Sequence, residues 1–288
     1  MDNLVKKRSL INTYFTNELK MELFKVTMEV NLDNNAKGTV IKELLTEFNV
    51  PYTSLGSGTN RMAVLIDGYA VKIALDKDGM IDNRREMLYT KDLQPYVVKV
   101  YECTQNGLLA VTEYITIFTL DEYNTNQETM RDILKEISKM FLIGDVGITN
   151  RNYVNWGTRD SGEICILDFA YIYSVKYKTF TCTCDDTTVL RYDNDFVYLI
   201  CPNCGKKYRF AEIRKRLSRK AQEEEIGDIL RLGYILSKPE ELVEIKPEFE
   251  PNKENKTKKK KTKEKTARDI AWEKHLQRKN KKYEEWDE

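Results

Sequence analysis

Apolar positions in this chain change their spacing several times, and the changes mark out its elements. Leu10, Ile11, Tyr14 and Phe15 recur at helical intervals, while Val26 and Val30 add β-branched content, so residues 1–37 read as a helix-rich leader. From Leu55 the pattern becomes strand-like: a glycine-containing turn, Gly56-Ser57-Gly58, interrupts two apolar runs. Beyond the Asp67-Gly68 turn comes Tyr69-Ala70-Val71-Lys72-Ile73-Ala74-Leu75, an apolar strand with a lysine at its centre. Residues 82–93 then read as a helix with Glu86 among Met87, Tyr89 and Leu93. Two further strands, 96–102 and 108–115, flank the turn Gln105-Asn106-Gly107. Met130, Ile133, Leu134, Ile137, Met140 and Phe141 predict a helix over 126–143. After it, Glu163 to Leu167 forms a short apolar strand ending at Asp168. Strand and helix patterns therefore alternate over 38–175, which predicts an α+β core.

Downstream the pattern dissolves. Residues 176–212 are rich in cysteine, 213–238 read as a charged helix, and 239–288 shift to Lys, Glu, Asn, Thr and Pro. The run Lys256-Thr257-Lys258-Lys259-Lys260-Lys261-Thr262-Lys263 cannot bury enough apolar surface to fold and reads as a linker. A short helix is expected over 267–283, with Ile270, Trp272, Leu276 and the only histidine, His275.

The four cysteines Cys182, Cys184, Cys201 and Cys204 form a C-x-C … C-P-N-C-G pattern. Two close thiol pairs separated by a hairpin-length spacer supply the four soft ligands of a tetrahedral zinc site, so a structural zinc ribbon is expected. In the second pair Pro202 shapes the turn, and Gly205 tolerates the positive φ that aims backbone amides at sulfur. The first pair is tighter than the usual two-residue gap. Four unrelated thiols are the alternative, and disulfides at this density belong to small secreted domains.

Charge narrows the partners only locally. Over 288 residues, 47 basic and 46 acidic side chains leave a net charge of +1, so no global attraction to nucleic acid is implied. The stretch Lys206 to Lys220 is nonetheless densely basic and interleaves Tyr208 and Phe210, a composition suited to phosphate backbones and unpaired bases. Glu223, Glu224, Glu225 and Asp228 come next, which equally suits a solvated helix face. No stretch approaches the roughly 18 to 20 apolar residues of a spanning helix, and no apolar run of signal-peptide length follows the first residues. A cytoplasmic protein with reduced thiols is expected.

Lys72 carries the central zone's chemistry. An ammonium in an apolar strand needs an anionic partner, a phosphate or a carboxylate such as Glu86, unless it sits on an edge strand and reaches solvent. Asp168 at a strand end reads as a divalent-metal ligand or a turn residue, with Asn155 thirteen residues earlier as a second ligand. Five strands with a helix after the third, and a lysine on that third strand, resemble the small lobe of a protein kinase. Asp168-Phe169-Ala170 stands where a kinase has Asp-Phe-Gly. The series over about 50–170, followed by a four-cysteine ribbon, resembles small kinase-like proteins encoded by bacteriophages. That resemblance implies a kinase-like small lobe with a truncated large lobe and an inserted zinc ribbon. It also implies ATP held by Gly56, Ser57, Gly58 and Lys72, magnesium held by Asn155 and Asp168, and Lys72 positioned by Glu86.

The chain departs from the kinase pattern at two positions. Arg61 stands in place of the third glycine, and Asn150 lies five residues before Asn155, where a kinase has its catalytic aspartate. An amide cannot accept the substrate proton, so a pseudokinase is expected unless a re-routed loop brings in Asp145. Two functions therefore stand: a kinase-like phosphotransferase, and a non-catalytic adaptor whose ribbon binds nucleic acid or a host protein.

Overall fold

The computed structural model describes residues 9–149, 152–174, 182–184 and 190–209, all within the unit Met1–Lys246. The expected charged helix, the lysine-rich tail and the helix over 267–283 lie outside these residues. The fold is mixed α+β with antiparallel sheets and a cysteine cluster.

Five strands build the principal sheet: β1 (Thr53–Ser57), β2 (Arg61–Ile66), β3 (Tyr69–Ala74), β4 (Val100–Cys103) and β5 (Leu109–Glu113), ordered β1-β2-β3-β5-β4 with every pair antiparallel. Alternation gives this sheet two different faces. Met62, Val64 and Ile66 of β2, Val71 and Ile73 of β3, and Leu109 and Val111 of β5 point to one side and enter an apolar core. Arg61, Ala63, Ala70, Lys72 and Thr112 point to the other and line a cleft.

Helices from the leader seal the apolar face. The helices α1 (Leu10–Tyr14), α2 (Asn17–Met28) and α3 (Asn34–Glu47) contribute Leu10, Ile11, Leu19, Leu23, Ile41, Leu44 and Leu45 to the same core. Burying each such side chain is worth about 1.5–3 kcal/mol. The ends are fixed by polar contacts. Ser9, Thr16 and Asp33 cap the three helices through their N3 amides. The buried Glu102 carboxylate on β4 accepts from Ser9 Oγ (2.6 Å), Leu10 N (2.8 Å) and Ile11 N (3.2 Å). The leader thus shares a core with the sheet, and α3 runs across the boundary expected at 37/38.

After β3, Asp76 caps α4 (Lys77–Leu93), which starts five residues before the expected helix and packs on the cleft face. The strand expected over 96–102 is shorter at its start, because residues 96–98 leave the principal sheet: Val98 N donates to Ile166 O and Ile166 N to Tyr96 O. The helix expected over 126–143 also differs. Helices α5 (Leu120–Thr125) and α6 (Gln127–Ser138) end before a short strand, β7 (Phe141–Ile143), whose three apolar side chains are all buried. A continuous apolar run fits either period, and pairing with β10 (Ile172–Ser174) decides for strand.

A small sheet, β6 (Thr116–Ile117), β8 (Trp156–Thr158) and β9 (Ile164–Ile166), comes after the principal one. The cysteine module is a three-stranded sheet of β11 (Arg191–Tyr192), β12 (Tyr198–Ile200) and β13 (Lys207–Arg209). β11 and the β11–β12 turn dock on the end of β7 and the segment after it. Tyr192 Oη donates to Ile143 O (2.9 Å) and accepts from Ile143 N (2.8 Å), and Ile148 N donates to Asp195 O (2.7 Å). Among the described residues no helix is long and apolar enough to cross a membrane.

Candidate functional site

The cleft has a volume of about 620 Å³ and is bounded by the end of β1 with the turn that follows it, β3, the segment 113–117 and the residues around Asp145, Asn155 and Asp168. Gly56 has a φ of 145°, a conformation that favours glycine. It marks a bulge in the β1–β2 register, and the Gly58 amide closes the turn on Arg61 O at 2.8 Å.

Lys72 and Glu86 meet, as their spacing suggested. Lys72 Nζ lies 2.7 Å from Glu86 Oε2 and 2.9 Å from Leu167 O, which brings the lysine beside the strand end that carries Asp168. Glu86 is fully buried, and its other oxygen accepts from Phe169 N at 3.3 Å and pairs with Arg61 at 3.0 Å. Arg61, 9% exposed, also reaches Asp168 Oδ1 at 2.7 Å and Asn83 Oδ1 at 3.3 Å. One guanidinium therefore bridges the two carboxylates of the site. Burial alone would lower the pKa of Arg61, but the charges of Asp168 and Glu86 outweigh it and raise the value. For Asp168 the protein surroundings oppose ionisation, yet Arg61 first and Lys72 second hold its pKa well below the ordinary carboxylate range.

Asn155 and Trp156 organise the segment opposite. Asn155 Nδ2 donates to Asp145 O at 2.7 Å, the buried Trp156 Nε1 to Val146 O at 3.2 Å, and Asn152 Nδ2 to Gly147 O at 3.0 Å. Three consecutive carbonyls are thus pinned by side chains that lie five to ten residues onward. The Asp145 side chain faces the cleft from a backbone with φ of 60°. Desolvation, and then the nearby Asp168 charge, raise its pKa. Asn150, the residue that spacing put in the proton-acceptor place, lies outside the described residues. Asp145 lies ten residues before Asn155, twice the spacing expected of a proton acceptor. Sequence spacing saw Arg61 only as a missing glycine. The signal for Arg61 was a charge opening an otherwise apolar strand.

The four cysteines converge. Their Sγ atoms all lie within 4.8 Å of one another, with Cys182–Cys204 at 3.5 Å and Cys184–Cys201 at 3.6 Å. Four thiolates around one zinc at about 2.3 Å would sit at such separations. These four residues could hold a metal such as zinc. The expected knuckle geometry is present: Gly205 has a φ of 71°, and Asn203 N and Cys204 N point at Cys201 Sγ at 3.4 and 3.5 Å. The Cys184 amide and the Tyr208 hydroxyl lower the Cys182 pKa to about 6, whereas Cys182 and Cys204 push that of Cys184 upward.

Tyr208 corrects one expectation. It is 4% exposed, with its hydroxyl 3.1 Å from Cys182 Sγ, so it supports the thiol cluster and cannot stack on a base. Alternation along β13 turns Lys207 and Arg209 outward and Tyr208 inward. The rest of the basic stretch to Lys220 lies outside the described residues.

No protein-family model and no curated protein matches the chain.

Proposed function

We propose that the chain is a kinase-like phosphotransferase of the bacteriophage type, using the cleft for a nucleoside triphosphate and the cysteines for a structural zinc ion. What carries this reading is the junction at Lys72, whose ammonium is 2.7 Å from Glu86 on a helix and 2.9 Å from the carbonyl that precedes Asp168. The five-stranded antiparallel sheet with one helix after its third strand supports a kinase-like small lobe.

In this reading Ala63, Ala70, Val98 and Leu167 sandwich the base, and Lys72 holds phosphate oxygens. A magnesium ion fits the donors present. The Asp168 side chain is 48% exposed, and Asn155, with its amide nitrogen committed to Asp145 O, offers its amide oxygen; both are hard oxygen ligands. When bound, the ion would neutralise charge on the phosphate oxygens. Asp145 is the proton acceptor. The substrate hydroxyl oxygen bonds to the γ-phosphorus, the bond to the bridging oxygen breaks with its electron pair leaving on the diphosphate, and the hydroxyl proton passes to the Asp145 carboxylate. Its raised pKa suits that role. This reading replaces the pseudokinase expectation built on Asn150.

Calorimetric titration with magnesium and ATP tests it. Lys72→Ala and Asp168→Ala are expected to abolish binding, and Asp145→Asn to retain binding while lowering transfer by roughly 10²–10⁴-fold. A wild-type protein that binds no nucleotide removes the enzyme reading. The adaptor alternative draws on exposed Lys207, 5.7 Å over the Tyr198 ring, and on exposed Arg209. A salt-dependent shift of labelled single-stranded RNA or DNA without nucleotide binding would favour it.

A further inference from the structure

The bridge made by Arg61 goes beyond that reading while resting on it. A guanidinium 2.7 Å from Asp168 Oδ1 occupies one of the two oxygens that a divalent cation would use, and two cations on one carboxylate repel. Arg61 also projects from the base of the glycine turn, on the sheet face that carries Lys72, and it lines the cleft. From there the side chain faces the space that a phosphate tail would fill. Its planar fork of donors matches phosphate oxygens two at a time, which the single ammonium of Lys72 does not.

We propose that Arg61 is a second phosphate-binding cation, held on Asp168 while the cleft is empty and drawn onto the phosphate tail of an incoming nucleoside triphosphate. The exchange frees Asp168 for a divalent cation only when the polyphosphate arrives, so metal alone binds weakly and the triphosphate admits it. Arg61 thereby offsets the amide contacts that a turn without its third glycine lacks. Charge balance favours the move. Glu86 keeps Lys72 when Arg61 leaves, and a triphosphate carrying one divalent cation remains net negative, enough to receive both side chains.

Three titrations of the full chain test this: manganese alone, monitored through the resonance signal of the free ion, and then ATP and adenosine by calorimetry. Arg61→Gln is expected to bind manganese alone about tenfold or more tightly than wild type, and to lose about tenfold or more of the ATP-over-adenosine preference, with adenosine affinity unchanged. Arg61→Lys keeps a cation and is expected to retain most of that preference, which guards against a misfolded Gln variant. The proposal is overturned if Arg61→Gln leaves both the manganese affinity and the ATP preference at wild-type values. It is equally overturned if both variants lose ATP and adenosine in parallel, the mark of a purely structural bolt. A wild type that binds neither ATP nor adenosine defeats the nucleotide reading itself, a different and recognisable result.

Discussion

In the cleft, Glu86 meets Lys72 at 2.7 Å and Arg61 at 3.0 Å, and Asp168 meets Arg61 at 2.7 Å, so each of these buried or half-buried carboxylates has a cation from the chain itself. In the cysteine module four thiols converge within 4.8 Å, and the hydrogen-bond partners of their sulfurs are one another, backbone amides and the Tyr208 hydroxyl. The first cluster sets opposite charges against each other. The second brings together like groups that repel once ionised, and a metal such as zinc could hold them. The two are joined mechanically, since the β11–β12 turn of the module grips residues 143–148, on either side of Asp145.

The comparison breaks most visibly at the metal. Freshly purified protein is expected to contain one zinc per chain, and Cys204→Ser or a strong chelator should remove it and expose residues 190–209 to protease. Elemental analysis finding no zinc in the wild-type protein would sink the metal-dependent half of the contrast. Next in size is the cleft's central carboxylate. Glu86→Ala leaves the buried Arg61 and the partly buried Lys72 without their shared partner and is expected to cost about 3–5 kcal/mol in denaturant unfolding. A loss below about 1 kcal/mol would mean that the cleft is not closed by Glu86.

A smaller effect probes the mechanical link. A Cβ on Gly147 would stand 2.6 Å from Phe196 O, backbone that cannot yield cheaply. Gly147→Ala is expected to destabilise the module's docking by about 1–3 kcal/mol and, under the proposed function, to slow transfer through Asp145. Unchanged melting and unchanged turnover would separate the two regions.

The smallest effect is electrostatic. Because Asp168 titrates below its unfolded value of about 3.9, its pairing with Arg61 stabilises the fold fully above that pH and is lost as pH falls through the folded value. Its half-exposed side chain limits the term to about 1 kcal/mol or less. The stability difference between wild type and Asp168→Asn should be flat from pH 7 to 5 and shrink below about pH 4. A difference that grows with acid would contradict the Arg61 pairing.

Much of this was legible in the chain. Lys72 in the middle of an apolar strand demanded an anion, and Glu86, fourteen residues on in the next helix, supplied it. The spacing of Cys182, Cys184, Cys201 and Cys204 announced a four-thiol site that the fold assembles. Less was legible wherever a residue's role depends on what crosses over it. The leader read only as helix-rich, because its apolar residues gain a partner only when Met62, Val71 and Val111 pack against them. Phe141-Leu142-Ile143 read as the end of a helix, and pairing with β10 makes it a strand.

Sequence by itself determined the local periods, the turns and the cysteine framework, because these rest on side chains close along the chain and on the two spacings, 2.0 and 3.6, that the backbone allows. Tertiary structure alone decided that Arg61 bridges Glu86 and Asp168, that Asp145 lines the cleft, and that Tyr208 turns toward sulfur. Each of those depends on contacts between elements, and a charge or a ring takes its role from the field and packing of residues that the fold brings to it.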